Sequence, residues 1–341
     1  MKHLASRGPA DDQPALISPG PALGPPRLLR IAANPWVATG GAGAVLILLG
    51  IVLDVTQPYF LFAAAQIAIL VIAVLAQGLL AGYAGQPAFA GAAFYAVGAY
   101  TMAWSMSHHV FWLLCLAASL GMGLVAGLVA GLPAARVRGS YLVVISVSLV
   151  FITQDTLLGI QQSLEEIGSF VVARPGGIAS DLAFYYFCAG LALAVVVLTF
   201  NLVRTRGGRA LRALRSAEAV AAIFGINEGW TRTWIYMLNG LLTALAGALQ
   251  ALQVGSVNVT SFDLSLSVVF LAAVVCGGLG RLGGVLIGAI LVGLLTAVLD
   301  DLLPSSLADV NLAEVIPVLL SALVIVMGWT RMVRGSHHDH A

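Results

Sequence analysis

The side chains in this chain that could do chemistry are a few neutral amides, one carboxylate inside an apolar run, and a row of arginines. The carboxylate is Asp155, in ThrGlnAspThr at 153–156. It could pair with a cation or accept hydrogen bonds from a polar solute. At mid-bilayer it would cost about 2.5–3.5 kcal/mol, so it is expected against a cavity, a polar partner or the membrane surface. Gln66 and Gln77 are eleven residues apart and project from nearly one helix face. Asn239, Gln250 and Gln253 share a second stripe on a later run. Amides so placed can pass hydrogen bonds to a solute without holding it tightly, or can bond one helix to another. The arginines stand at 204, 206, 209, 212, 215 and 232, with Glu218 and Glu228 among them.

Other chemistries lack their residues. Lys2 is the only lysine, so a GxxxxGK[ST] phosphate loop is excluded, as is an internal Schiff-base lysine. Histidines at 3, 108, 109, 337, 338 and 340 form no hydrolase-like or zinc-protease pattern with a carboxylate. The terminal HisHisAspHis reads as a solvated tail. Cys115, Cys188 and Cys276 are scattered through apolar runs, with neither disulfide nor metal spacing. No cofactor, no metal site, no nucleic-acid partner and no enzymatic activity are expected.

The elements that must carry these residues are membrane helices. The chain is 60% hydrophobic and 9% charged over 341 residues. A soluble domain carries about 25% charged residues, so lipid must be the solvent for most of this one. Runs able to cross a bilayer are read at 36–53, 59–81, 88–107, 111–133, 141–159, 183–203, 233–253, 264–279, 284–300 and 314–330. With both ends inside and the spans alternating, fifteen of the sixteen Lys and Arg residues fall on inner segments and only Arg174 falls outside. The expected fold is an all-α polytopic membrane protein of about ten transmembrane helices, both termini cytoplasmic, with discontinuous glycine-rich helices. Residues 1–34 hold six prolines and no apolar run, and are expected as a disordered cytoplasmic tail. Residues 35–331 form the membrane domain and 332–341 a second tail.

The longest outer loop, 160–182, holds Glu165, Glu166 and the turn signal ArgProGlyGly at 174–177. The longest inner loop between spans is 204–232. Within it Ser216 can cap a helix with Glu218 in its first turn, and Gly225 can stop it. About eight residues are too few to stay helical alone in water, so this helix must dock on something, with Ile223 and Phe224 as its apolar face. Gly78, Gly82, Gly85, Gly91 and Gly98, with Pro87 among them, mark either a pathway-lining break or close helix packing. Gly277, Gly278, Gly280, Gly283 and Gly284, with Arg281, read as a tight inner turn.

ArgSerAlaGluAlaValAlaAlaIlePheGlyIleAsn at 215–227 resembles the cytoplasmic coupling segment of permeases of the branched-chain amino-acid type of ATP-binding-cassette importer, closest to the LivM-like branch. GlyTyrAlaGly at 82–85 with AlaAlaPheTyrAlaValGlyAlaTyr at 92–100, ArgValArgGlySerTyrLeu at 136–142, and CysGlyGlyLeuGlyArgLeuGlyGlyValLeuIleGly at 276–288 resemble further motifs of that family, in order. The resemblance covers roughly 59–300. It implies a multi-pass permease in a bacterial inner membrane, with cytoplasmic ATPase subunits, a second permease subunit (LivH-like or a second copy) and an extracytoplasmic solute-binding protein. It implies ATPase coupling through Arg215, Glu218, Ala221, Ala222, Ile223, Phe224 and Gly225. A translocation pathway is expected along Gln66, Gln77, Gly82, Gly85, Gly91, Asp155, Asn239 and Gln250. The chain departs from the family at Ala88 and Gly91, where a serine and a histidine are usual, and at Phe151, where a glutamate is usual. The competing reading is a stand-alone secondary transporter or channel for a small neutral solute. Against it, no ionisable residue is convincingly central in a span, and the arginine-rich loop would have no role.

Overall fold

A computed structural model describes residues 58–137, 141–163, 170–178, 180–216 and 227–302. The expected spans 36–53 and 314–330 and both tails lie outside the described residues, as does the segment 217–226. Helix α1 (Pro58–Gln77) runs into a π-helical turn, Gly78–Tyr83. There follow α2 (Gly91–Ser107), α3 (Trp112–Ala134), α4 (Tyr141–Ser163), α5 (Asp181–Arg204), α6 (Arg206–Ser216), α7 (Glu228–Val254), α8 (Leu264–Gly277) and α9 (Leu282–Leu302). All eight expected spans between 59 and 300 reappear as helices with ends moved by a few residues. Six helices among the described residues are long and apolar enough to cross a membrane. Helix α2 is shorter: its seventeen residues rise about 25 Å, against a hydrocarbon core of about 30 Å.

Helix α7 is the central post. It begins five residues before the expected span because Asn227 caps it, its side chain accepting from the Trp230 amide at 3.1 Å. Glu228 and Arg232 then pair across the first turn at 2.6 Å. Gly255, left-handed at φ 75°, closes the far end by donating to Ala251 O. Helix α3 lies along α7 on a small-residue stripe, Gly123, Gly127 and Gly131. A Cβ added at Gly127 would fall 2.7 Å from Met237 Cα, so the two backbones touch where side chains would hold them apart. Gly98 on α2 and Gly247 on α7 meet partner backbone in the same way. Much of the crowded glycine therefore serves close packing.

The arginine-bearing segments gather at one end of the bundle. There Arg232 donates to Val137 O at 3.3 Å, and Arg215 reaches Gly82 O beside the 278–281 turn. At the other end Gln253 donates to Phe62 O at 2.8 Å and Gln154 to Phe262 O at 2.9 Å. A two-stranded antiparallel ribbon, β1 (Phe170–Val171) with β2 (Ser256–Val257), joins the long loop to the foot of α7 there. Arg174, the one cation expected on that side, has a structural task. Its Nε and Nη2 donate to Leu252 O (3.1 Å) and Gln253 O (3.0 Å), the terminal carbonyls of α7. A guanidinium there meets the negative end of the helix dipole. It also lies 4.7 Å over the Phe184 ring and pairs with Asp181, the first residue of α5. The exception to the charge pattern is thus a helix cap.

Candidate functional site

The third expected span, 88–107, loses its first three residues to an irregular segment that begins at 84. Helix α2 starts at Gly91, and residues 84–90 precede it without helical structure. This segment leaves the π turn beside Gly280, near the arginine-bearing end, and by Phe89 has reached Ser267, one turn into α8 from the opposite end. It completes the crossing that α2 is too short to make.

Unwound backbone at this depth must find its partners in protein. Three side chains from outside the segment supply them, and a fourth bonds the turn just before it. Gln77 on α1 donates through Nε2 to Ala88 O. Ser146 on α4 accepts from the Phe89 amide at 2.9 Å. Ser267 on α8 donates to Phe89 O at 2.6 Å and accepts from the Ala92 amide at 2.8 Å. Arg215 on α6 donates to Gly82 O at the last turn before the break. Behind the segment, Gln77 Oε1 accepts from Asn239 Nδ2 at 3.4 Å, and Asn239 Oδ1 accepts from Thr243 Oγ1 at 3.1 Å. Gln77 is 1% exposed and Asn239 0%. Two residues expected along a pathway thus meet inside one chain and bond each other.

The remaining expected pathway residues lie apart. Gly82 sits at the end of the π turn, its position for a Cβ 3.2 Å from the Gly280 amide nitrogen. Gly85 has φ 68° and starts the break, where a side chain would be strained. Gly91 packs on Phe270 and opens α2. Gln66 on α1 and Gln250 on α7 are half-buried, and each has a buried Oε1 with no hydrogen-bond partner among the described residues. Gln86, 6% exposed, has the same unmet oxygen and lines a cavity of about 290 Å³ with Arg215 and Arg232.

Asp155 is on α4, far from that cluster and exposed. Ser148, Asp155 and Gln162 are spaced by seven and fall within about 20° of one line. All three are exposed, with Phe151 between them. The exposed side chains of α3 are different: Leu113, Leu114, Met122, Val125, Val129 and Leu132 are all apolar. Helix α3 presents a lipid-like face and α4 a mixed one. Cavities of about 280 and 470 Å³ flank α4, so it stands partly clear of the bundle.

Of the expected coupling residues, Arg215 is described and turns toward the bundle. Glu218, Ala221, Ala222, Ile223, Phe224 and Gly225 lie outside the described residues. Within the expected inner loop 204–232 the structure adds helix α6, whose Leu211 and Leu214 are buried. Ser146, Ser267 and Thr243 were also missed. Nothing in the sequence separates them from serines such as Ser119 and Ser148, which bond only their own helix, to Cys115 O and Val144 O.

The family described as branched-chain amino acid transport system / permease component matches residues 59–328. The high-affinity branched-chain amino acid transport system permease protein LivM of Escherichia coli K12 is 30% identical over 244 residues, covering 62% of this chain and 55% of that protein. The chain thus matches about half the length of that relative. The ribose import permease protein RbsC of the same strain is 26% identical over 226 residues, covering 62% of this chain and 68% of RbsC. The fructose import permease protein FruG of Bifidobacterium longum is 30% identical over 133 residues, 37% of each chain. No solved structure matches.

Proposed function

The chain belongs to the family of branched-chain amino acid transport system permease components, and from that premise we propose that it is the permease subunit of an ATP-binding-cassette importer in a bacterial inner membrane. Ten spans with both termini cytoplasmic place 204–232 on the side of the ATPase subunits. A second permease subunit, LivH-like or a second copy, completes the pathway, and an extracytoplasmic binding protein delivers the solute. The solute is a branched-chain amino acid or a similar small solute. Relatives named for ribose and fructose import make small sugars the second class of solute to test.

One observation carries the mechanism: an unwound segment at 84–90 stitched to α1, α4 and α8, with the arginine-bearing helix α6 docked on the turn before it. Discontinuous helices at membrane depth line solute paths because their freed backbone groups can face water or protein but not lipid. Gln77 and Asn239 then serve as braces that hold the break in shape. Gln66 and Gln250, with unmet oxygens, and Asp155, with Ser148 and Gln162 on the mixed face of α4, are the side chains that meet the solute or its water. The face of α4 is the one turned to the second subunit, since Asp155 in lipid would cost about 2.5–3.5 kcal/mol. Movement comes from the ATPase through the segment at 218–225.

Reconstitution tests this reading. Proteoliposomes holding the chain alone, loaded with MgATP, should take up neither leucine nor ribose above protein-free vesicles. Adding the cognate ATPase, second permease subunit and binding protein should produce uptake of the cognate solute that stops when ATP is omitted. Uptake by the lone chain, independent of ATP, would favour the secondary carrier or channel instead.

A further inference from the structure

Arg215 was expected among the residues that touch the ATPase, yet it points the other way. Its Nη1 donates to Gly82 O, at the close of the π turn. That carbonyl ends a helix, so the guanidinium also satisfies the negative pole of the dipole. The stem crosses Gly85, where a Cβ would lie 2.9 Å from Arg215 Cγ. The same Nη1 lies 2.7 Å from where a Cβ of Gly280 would stand, and Gly280 has φ 89°. Glycines from two distant parts of the chain therefore leave a slot one arginine wide. One turn back, Arg212 lies 5.6 Å over the Tyr83 ring and donates to Val203 O at 2.8 Å. Tyr83 Oη in turn accepts from the Leu282 amide at 3.4 Å. Leu211 and Leu214, both buried, seat the rest of α6 on the bundle. The inner face of α6 thus grips the start of the break and the α8–α9 turn together.

We infer that Arg215 is the positioning residue that links the ATPase-driven loop to the broken span, moving Gly82–Gln86 and the 278–281 turn as one body when α6 is displaced. This rests on the importer reading above. A helix of eleven residues held by side-chain bonds at its last turn transmits displacement rather than absorbing it. The turns it grips are hinge-like: Gly85, Gly278 and Gly280 all have positive φ, conformations that tolerate large backbone change. Arg215 neither binds solute nor touches nucleotide. Its role is to keep the break in register with the lever.

The test uses the complete complex with its ATPase subunits, in nanodiscs. Amide exchange of a peptide covering 82–92 is followed with MgADP and with MgATP plus orthovanadate, alongside ATP hydrolysis. In the wild type, vanadate trapping should change that exchange by about tenfold or more. In Arg215→Ala, ATP hydrolysis should persist within about twofold while the exchange response disappears, because Leu211 and Leu214 still dock α6. Arg215→Lys, which keeps one donor for Gly82 O, should recover at least part of the response. Gly280→Val keeps the arginine but puts a side chain where its Nη1 lies, and should lose the response as Arg215→Ala does. A nucleotide response in Arg215→Ala equal to wild type would overturn the inference while leaving the importer reading intact. Equal loss in the lysine and alanine variants would reduce Arg215 to packing and also overturn it. A wild-type complex without ATPase activity would remove the importer reading, and the link with it.

Discussion

Replacing Gln77 by leucine should reduce ATP-driven uptake by the reconstituted complex at least tenfold while the chain still inserts and purifies. The expectation follows from what the amide holds. Its Nε2 is bonded to Ala88 O in the break, and its Oε1 accepts from Asn239. Leucine is of similar size and fits an apolar site, so bulk alone would predict little change. The cost lies in two groups left without partners. Hydrogen bonds between membrane helices average only about 0.6 kcal/mol when broken, because the loosened groups find other partners. An orphaned buried polar group costs about 1–3 kcal/mol when it does not. The second case applies here, since Gln77 and Asn239 are fully enclosed and Phe270 closes the space beside Gly91. Two such groups outweigh the roughly 1.4 kcal/mol that makes a tenfold change in local opening. Amide exchange across 84–90 should therefore rise about tenfold or more in the variant. Unchanged exchange and unchanged uptake together would show that the break does not depend on this brace.

The second large effect is expected at Phe224, outside the described residues. Phe224→Ala should abolish copurification of the ATPase subunits with the chain, while the yield of membrane-inserted chain stays within about twofold. From the sequence, Ile223 and Phe224 are expected to form the apolar face of a short helix, too short to persist without a docking partner. A buried aromatic anchor at an interface contributes about 2 kcal/mol or more when truncated, enough to change binding about thirtyfold. Glu218→Ala should weaken the same association. Copurification unaltered in both variants would place the ATPase contact elsewhere on the inner surface.

How far these residues could be read from the sequence depends on how each is held. The eight spans that fall on described residues were legible because a membrane helix must satisfy its own backbone, which leaves long apolar runs as the solution. Arginine placement gave the expected alternation, and among the described residues Arg215, Arg232 and the 278–281 turn gather at one end of the bundle. The break was legible as a crowd of glycines around Pro87, but glycine marks close packing equally well. Gly98 proved to pack on Ala244 of α7 while Gly85 opens the break. Helix α6 was missed because Gly207 and Gly208 each cost about 1 kcal/mol in a helix and read as loop. The structure shows why a glycine is there: a Cβ on Gly208 would fall 2.5 Å from Val203 Cα, where α6 folds back on the end of α5. The partners of Gln77, and the serines that hold Phe89, come from spans far away in sequence, and no local pattern announces such a meeting. Asp155 was singled out by its cost in lipid, and it stands on a long apolar helix whose exposed stripe also carries Ser148 and Gln162.

Side-specific labelling at position 220 tests the central claim most directly, since everything proposed requires the 204–232 loop to face the ATP-bearing compartment. With Val220 replaced by cysteine, and the native chain with Cys115, Cys188 and Cys276 as the control, a membrane-impermeant maleimide should label inverted membrane vesicles and leave intact cells unlabelled. Labelling of position 220 in intact cells, with none in inverted vesicles, would put the loop on the outer surface, where no ATPase could work it.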